Sequence, residues 1–194
     1  MNPFLFYFEL GLNHVLDPKG LDHFYFLIVL TVPFTLFRWR SLLILVSLFT
    51  LGHTLSLWVA YEGWVRLPDA WIEFLIPITI LATCLPLLFA KHPQKAAMRN
   101  PQWTGMLTVL FGLIHGLGFA RYFKQIILEE DAYSGLLSFA LGVETAQLIV
   151  VVLVLLVSYL FTNLLRVSPK KWLLLVGAII ATLAAEMSIS NWPL

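Results

Sequence analysis

Long apolar runs separated by short polar junctions organise this chain. The runs occupy residues 21–37, 42–61, 70–90, 105–123, 135–162 and 172–189. A helix that crosses a bilayer needs about 20 predominantly apolar residues. The pattern therefore predicts six transmembrane helices, the first slightly short, joined by short connections into a single membrane domain over 1–194. Ahead of them, residues 3–16 are apolar but only 14 long. That length predicts an interfacial or re-entrant helix rather than a span. Asp17-Pro18-Lys19-Gly20 is a turn that stops it. The expected fold class is an all-α integral membrane bundle of six helices with this additional short N-terminal helix.

Composition agrees. Hydrophobic residues make up 60% and charged residues 12% of the chain, against roughly a quarter charged in soluble domains. Mean hydropathy is +0.87. A net charge of +1 argues for no nucleic-acid partner; membrane lipid is the expected surrounding. Cys84 is the single cysteine, which excludes an intrachain disulfide and a thiolate metal cluster. Neither a basic leader nor a small-residue cleavage site marks the start, so no cleavable signal peptide is expected. Lys and Arg are unevenly shared. Arg38, Arg40, Lys91, Lys95, Arg99, Arg166, Lys170 and Lys171 fall in the odd loops, and Lys19, Arg66, Arg121 and Lys124 in the even ones, a split of eight to four. The positive-inside rule then makes the odd loops cytoplasmic and turns both termini outward. The expected location is a bacterial inner membrane.

Ionisable side chains inside the apolar runs change the picture. Such groups are costly in hydrocarbon and persist in paired, hydrated or protein-lined sites. His53 and His115 each lie eight residues from the outer ends of their runs, Tyr61 and Phe123, and Glu144 lies nine from Gly135. At about 1.5 Å per residue, all three are about 12–13 Å deep. His14 ends the short helix, and Asp22-His23 opens the first long run. Imidazole with carboxylate suits a borderline divalent metal, so His14, Asp22, His23, His53, His115 and Glu144 form a candidate metal site in the outer half. Thr54, beside His53, and Gln147, one turn from Glu144, are candidates to orient a ligand from behind.

Each residue also has a plainer use. A single intramembrane histidine often serves only as a hydrogen-bond partner between helices. Asp22 can start a helix, and Glu73 stands where a carboxylate complements a helix dipole. His92 sits in a basic loop. Trp58, Trp64, Trp71 and Trp103 read as an interfacial aromatic belt. The agreement in depth of His53, His115 and Glu144, on separate helices, sets the metal reading apart.

At these residues the chain resembles the HupE/UreJ family of membrane proteins. The matching segments are His14 with Gly20-Leu21-Asp22-His23, Phe49-Thr50-Leu51-Gly52-His53-Thr54-Leu55, Phe111-Gly112-Leu113-Ile114-His115-Gly116-Leu117-Gly118-Phe119-Ala120 and Gly142-Val143-Glu144-Thr145-Ala146-Gln147. The resemblance implies a nickel or cobalt permease, with a metal role for His14, Asp22, His23 and His115 and with His53 and Glu144 as their partners. Two features depart from the permease pattern. Seven residues rather than five separate His14 from Asp22, and Phe111 and Gly118 stand where the pattern has a second His and a Glu. The branch is therefore a divergent one.

Two functions remain open on the residues alone. One is a secondary permease for nickel or cobalt. The other is an intramembrane zinc-dependent hydrolase or acyl-transfer enzyme acting on a lipid or membrane-anchored substrate, with Glu144 or Asp22 as general base.

Overall fold

The computed structural model describes residues 2–18, 20–65, 67–89, 101–127 and 132–193, apart from the side chains of Pro101 and Trp103. Lys19, Arg66, the basic junction carrying Lys91, His92, Lys95 and Arg99, the acidic Glu129-Glu130-Asp131 and the Trp103 indole lie outside the described residues. The elements are helices α1 (Pro3–Leu16), α2 (Asp22–Thr31), α3 (Trp39–Tyr61), α4 (Asp69–Phe89), α5 (Pro101–Ile126), α6 (Ala132–Tyr159) and α7 (Pro169–Ser190). A single 3-10 turn, Leu36–Arg38, leads into α3, and a π-helical turn, Leu160–Leu164, extends α6.

Five helices, α3 to α7, are long and apolar enough to cross a membrane. The chain is an integral membrane protein. The expectation of a full span over 21–37 is not met. Residue 33 is proline, whose missing N–H and ring end a helix, and α2 stops at Thr31 after ten residues. That is about 15 Å of rise, half a hydrocarbon core. The short N-terminal helix covers the expected residues, Pro3–Leu16. Its cap is local: Asn2 accepts the Phe4 N–H at 3.0 Å and Pro3 takes the first helical position.

Ridge-to-backbone packing sets the helix directions. On α5, Gly112 and Gly116 lie against Phe49 and His53 of α3, while Gly52 of α3 lies against Val109. In each case an added Cβ would strike a backbone carbonyl oxygen. Small residues four apart let two helices approach this closely. Numbers rise together along both, so α3 and α5 run the same way. The same device joins α1 to α6: Gly11 meets Phe139, Gly142 meets Phe8, and Gly135 meets Tyr7. These helices also run in parallel. Tyr133 donates to Glu62 at 3.3 Å, which sets the start of α6 beside the end of α3.

One end of the bundle therefore gathers the ends of α3 and α5 and the starts of α4 and α6. Lys124 Nζ donates to the Tyr61 carbonyl at 2.9 Å, and Arg121 pairs with Asp69. Asn191, after α7, donates to the Glu73 carbonyl at 3.1 Å. That carbonyl is free because Pro77, four residues on, has no N–H to give it. Arg38, Arg40, Arg166, Lys170 and Lys171 belong to the opposite, basic end.

Helix α2 continues the direction of α1. Phe26 packs on Phe49 at 4.8 Å and on Phe111 at 6.1 Å between ring centroids. Phe49 and Phe111 each precede the histidine of their helix by one turn, so α2 leads from the histidines toward the basic end. Helices α1 and α2 follow one another in the same sense, broken at 17–21.

A histidine cluster at the break between two short helices

His14 sits in the last turn of α1 and His23 in the first turn of α2, so the break brings both to one place. His53 comes from the middle of α3 and His115 from the middle of α5, held at one level by the glycine contacts. The four rings form a continuous group. His14 lies 4.7 Å from His23 and 5.5 Å from His53; His23 lies 5.6 Å from His53 and 5.3 Å from His115, between centroids. His23, His53 and His115 are 2%, 1% and 1% exposed.

The hydrogen-bond inventory of these rings is incomplete. His115 Nδ1 lies 2.9 Å from the Phe111 carbonyl. Only an N–H can donate there, so Nε2 carries a bare lone pair. His23 Nδ1 meets Asp22 Oδ1 at 3.4 Å, which turns its Nε2 into the free nitrogen in the same way. Nε2 of His14, His23 and His115 and both nitrogens of His53 are buried without a hydrogen-bond partner. An unsatisfied buried polar atom costs about 1–3 kcal/mol. Several in one group form a set of donors that a cation would satisfy.

His14, His23 and His53 each offer one nitrogen within 4.8 Å of the others. Three nitrogens bonded at about 2.1 Å to one tetrahedral metal stand roughly 3.4 Å apart, so the rings would have to close in by up to about 1.4 Å to form a three-imidazole site. The walls are aromatic. Phe119 lies 4.0 Å from His14, Phe49 5.2 Å from His115 and Phe139 6.2 Å from His53. Such walls strip water from the site and leave the nitrogens as its polar lining. A crevice of about 620 Å³ lined by Asn13, His14, Asp17, Pro18, Phe119 and Tyr122 reaches His14.

The structure thus brings together His14, Asp22, His23, His53 and His115. Glu144 lies elsewhere on α6, where it accepts a hydrogen bond from Ser47 Oγ. Ser47 precedes His53 by six residues, about 9 Å of helix rise. Gln147 accepts from Thr50 at 2.8 Å, one turn before His53. Thr54 is half-buried beside His53. The phenylalanine lining was not anticipated, though Phe49 and Phe111 stand four residues before a histidine and Phe119 four after one. That spacing shares a helix face. Phe139 carries no such signal.

A family model described as HupE / UreJ protein matches residues 1–192 of the chain. No curated protein and no solved structure matches it.

Proposed function

The chain belongs to the HupE/UreJ family, and from that premise we propose that it is a permease carrying a divalent transition metal, nickel or cobalt, across a bacterial inner membrane. The observation that supports this most is the convergence of four imidazoles with unpartnered nitrogens at the break between α1 and α2. Broken helices at a central site recur in secondary transporters, because their free ends add polar groups without exposing backbone to lipid. The C-terminal end of α1 also presents its negative dipole end toward the cluster.

In this reading α1 and α2 in succession make the sixth crossing. An ion reaches His14 through the crevice, with Asp22 and His23 beside it, and is held by His14, His23 and His53 with His115 behind. Asp22 fixes the ring of His23 and adds negative charge. Purified protein in vesicles is expected to accumulate nickel or cobalt, and His115→Ala to remove that uptake. Vesicles that bind the ion but never accumulate it would refute the permease reading.

Orientation follows from the loop charges. The histidine end should face outward and the end with Lys170 and Lys171 the cytoplasm. Single cysteines at 62 and 133 are expected to label with an impermeant reagent on intact cells. A cysteine at 171 should label only after permeabilisation, and the reverse pattern would invert the proposed direction of capture.

One observation favours a second reading. An apolar cavity of about 400 Å³, lined by Phe26, Val29, Pro86, Leu107 and Phe111 among others, lies beyond the aromatic wall of His115. It has room for part of an acyl chain. A zinc ion on three histidines, with water in a fourth position and Asp22 as base, would make an intramembrane hydrolase or acyl-transfer enzyme. Glu144, held at Ser47, is too far from the cluster for the role the sequence offered it. Tightly bound zinc with a coordinated water and no ion flux would select it.

A further inference from the structure

We propose that Glu144, Gln147, Ser47 and Thr50 form a second, oxygen-donor station that takes a divalent transition-metal ion from the histidine cluster on its way to the basic end. The inference rests on the permease reading and adds the next step of the path.

Ser47, Thr50 and His53 are spaced three apart on α3, so each neighbours the next along a line that winds about 120° around the helix. From His53 toward the start of α3, Thr50 Oγ1 meets Gln147 Oε1 at 2.8 Å and Ser47 Oγ meets Glu144 Oε1. Because α6 runs opposite to α3, the two pairs cross and form one group at a single level below His53. Gln147 is 0% exposed, and its Nε2 has no hydrogen-bond partner. The Thr50 hydroxyl also lies 3.2 Å from the Val46 carbonyl. It has one proton. If that proton goes to Val46, the amide of Gln147 turns over, donates to Thr50 Oγ1 and leaves its carbonyl oxygen bare. Either arrangement leaves one amide atom unpaired in a fully buried position. A residue kept there for packing alone would be better as leucine.

With the amide turned over, the group presents a carboxylate, an amide oxygen and two hydroxyl oxygens. Borderline metals prefer imidazole to such hard oxygen donors. The gradient has the right sense for transport: nitrogen-rich capture above, weaker oxygen-rich binding below. A conducting site must hold its ion loosely enough to release it. Glu144 itself is half-buried between the helices, and a carboxylate at membrane depth is costly unless it is paired or hydrated.

The test compares binding with flux, using nickel alone as the probe. Equilibrium nickel binding is measured on detergent-solubilised protein, and uptake into vesicles is followed with an enclosed metal-sensitive dye. In Glu144→Gln and in Gln147→Leu, binding is expected to change by less than about threefold while the uptake rate falls by about tenfold or more. Gln147→Leu is close in volume and removes an unpaired polar atom, so the apo protein should be at least as heat-stable as wild type; it decides the matter if Glu144→Gln fails to fold. Undiminished uptake in folded Gln147→Leu overturns the station. Parallel loss of binding and uptake in both folded variants also overturns it, by making Glu144 and Gln147 part of the upper site while leaving the permease intact. Absence of flux in the wild type would remove the permease reading itself, and the station with it.

Discussion

Replacing His53 with leucine is expected to lower the affinity for nickel or cobalt by at least about 100-fold. Changes to groups that only orient a metal ligand already cost roughly 10–100-fold. His53 is placed to be the ligand itself: its ring stands 5.5 Å from that of His14 and 5.6 Å from that of His23, and neither of its nitrogens has another partner. Leucine fills most of the same volume and brings no polar atom. If His53 served only to pack α3, this change would leave metal binding alone and would destabilise the bundle. If it is a ligand, the apo protein loses two unsatisfied buried nitrogens and should melt at the same temperature or higher. Titration with cobalt, followed by its visible absorption, and apo thermal unfolding in the same detergent read the two effects separately. Wild-type cobalt affinity in a folded His53→Leu protein would make the cluster a packing feature.

The histidines were legible because lipid is an unforgiving solvent. A charge-bearing ring in an apolar run stands out whatever surrounds it, and His23, His53 and His115 all proved buried together. The spans were legible for a related reason. Backbone groups in hydrocarbon must be satisfied within the segment, so a long apolar run is a helix. The predicted run 42–61 compares with Trp39–Tyr61, and 172–189 with Pro169–Ser190.

Apolarity is a poorer guide to where a helix stops. The run 21–37 continues through Pro33, whereas helix α2 ends before it. The same limit explains Glu144. Its depth was reckoned from Gly135, the edge of the apolar run, but α6 begins at Ala132 and includes Tyr133 and Ser134. Helix α5 likewise runs three residues past Phe123 to Ile126, so counts from the edges of apolar runs are good only to about one turn, and the contact with Ser47 is what fixes the level of Glu144. The partner of α1 was not legible. Fourteen apolar residues do not say which helix they pack against, and the contact of Gly11 with Phe139, far away in sequence, supplies that.

Those glycine contacts support the second large effect: Gly116→Leu should destabilise the protein by about 3 kcal/mol or more and abolish metal binding without removing any donor. Overpacking a close-packed interior typically costs about 1–3 kcal/mol. Here relief by rotamer change is unavailable, because even a Cβ at Gly116 would strike the carbonyl oxygen of His53 as well as Ser56 Oγ. The backbones of α3 and α5 must separate. They would do so next to His115 and at the peptide of His53, where they set the spacing of two of the four rings. Gly20→Ala is the matching control. Its added Cβ would have Asp22 Oδ1 as its nearest neighbour at 3.7 Å, an ordinary contact, and it should change stability by no more than about 0.5 kcal/mol. Denaturant-induced unfolding in mixed micelles measures the first quantity and cobalt titration the second. Gly116→Leu protein with wild-type stability and affinity would mean that α3 and α5 do not meet as closely as these contacts require, and the alignment of His53 with His115 would need another cause.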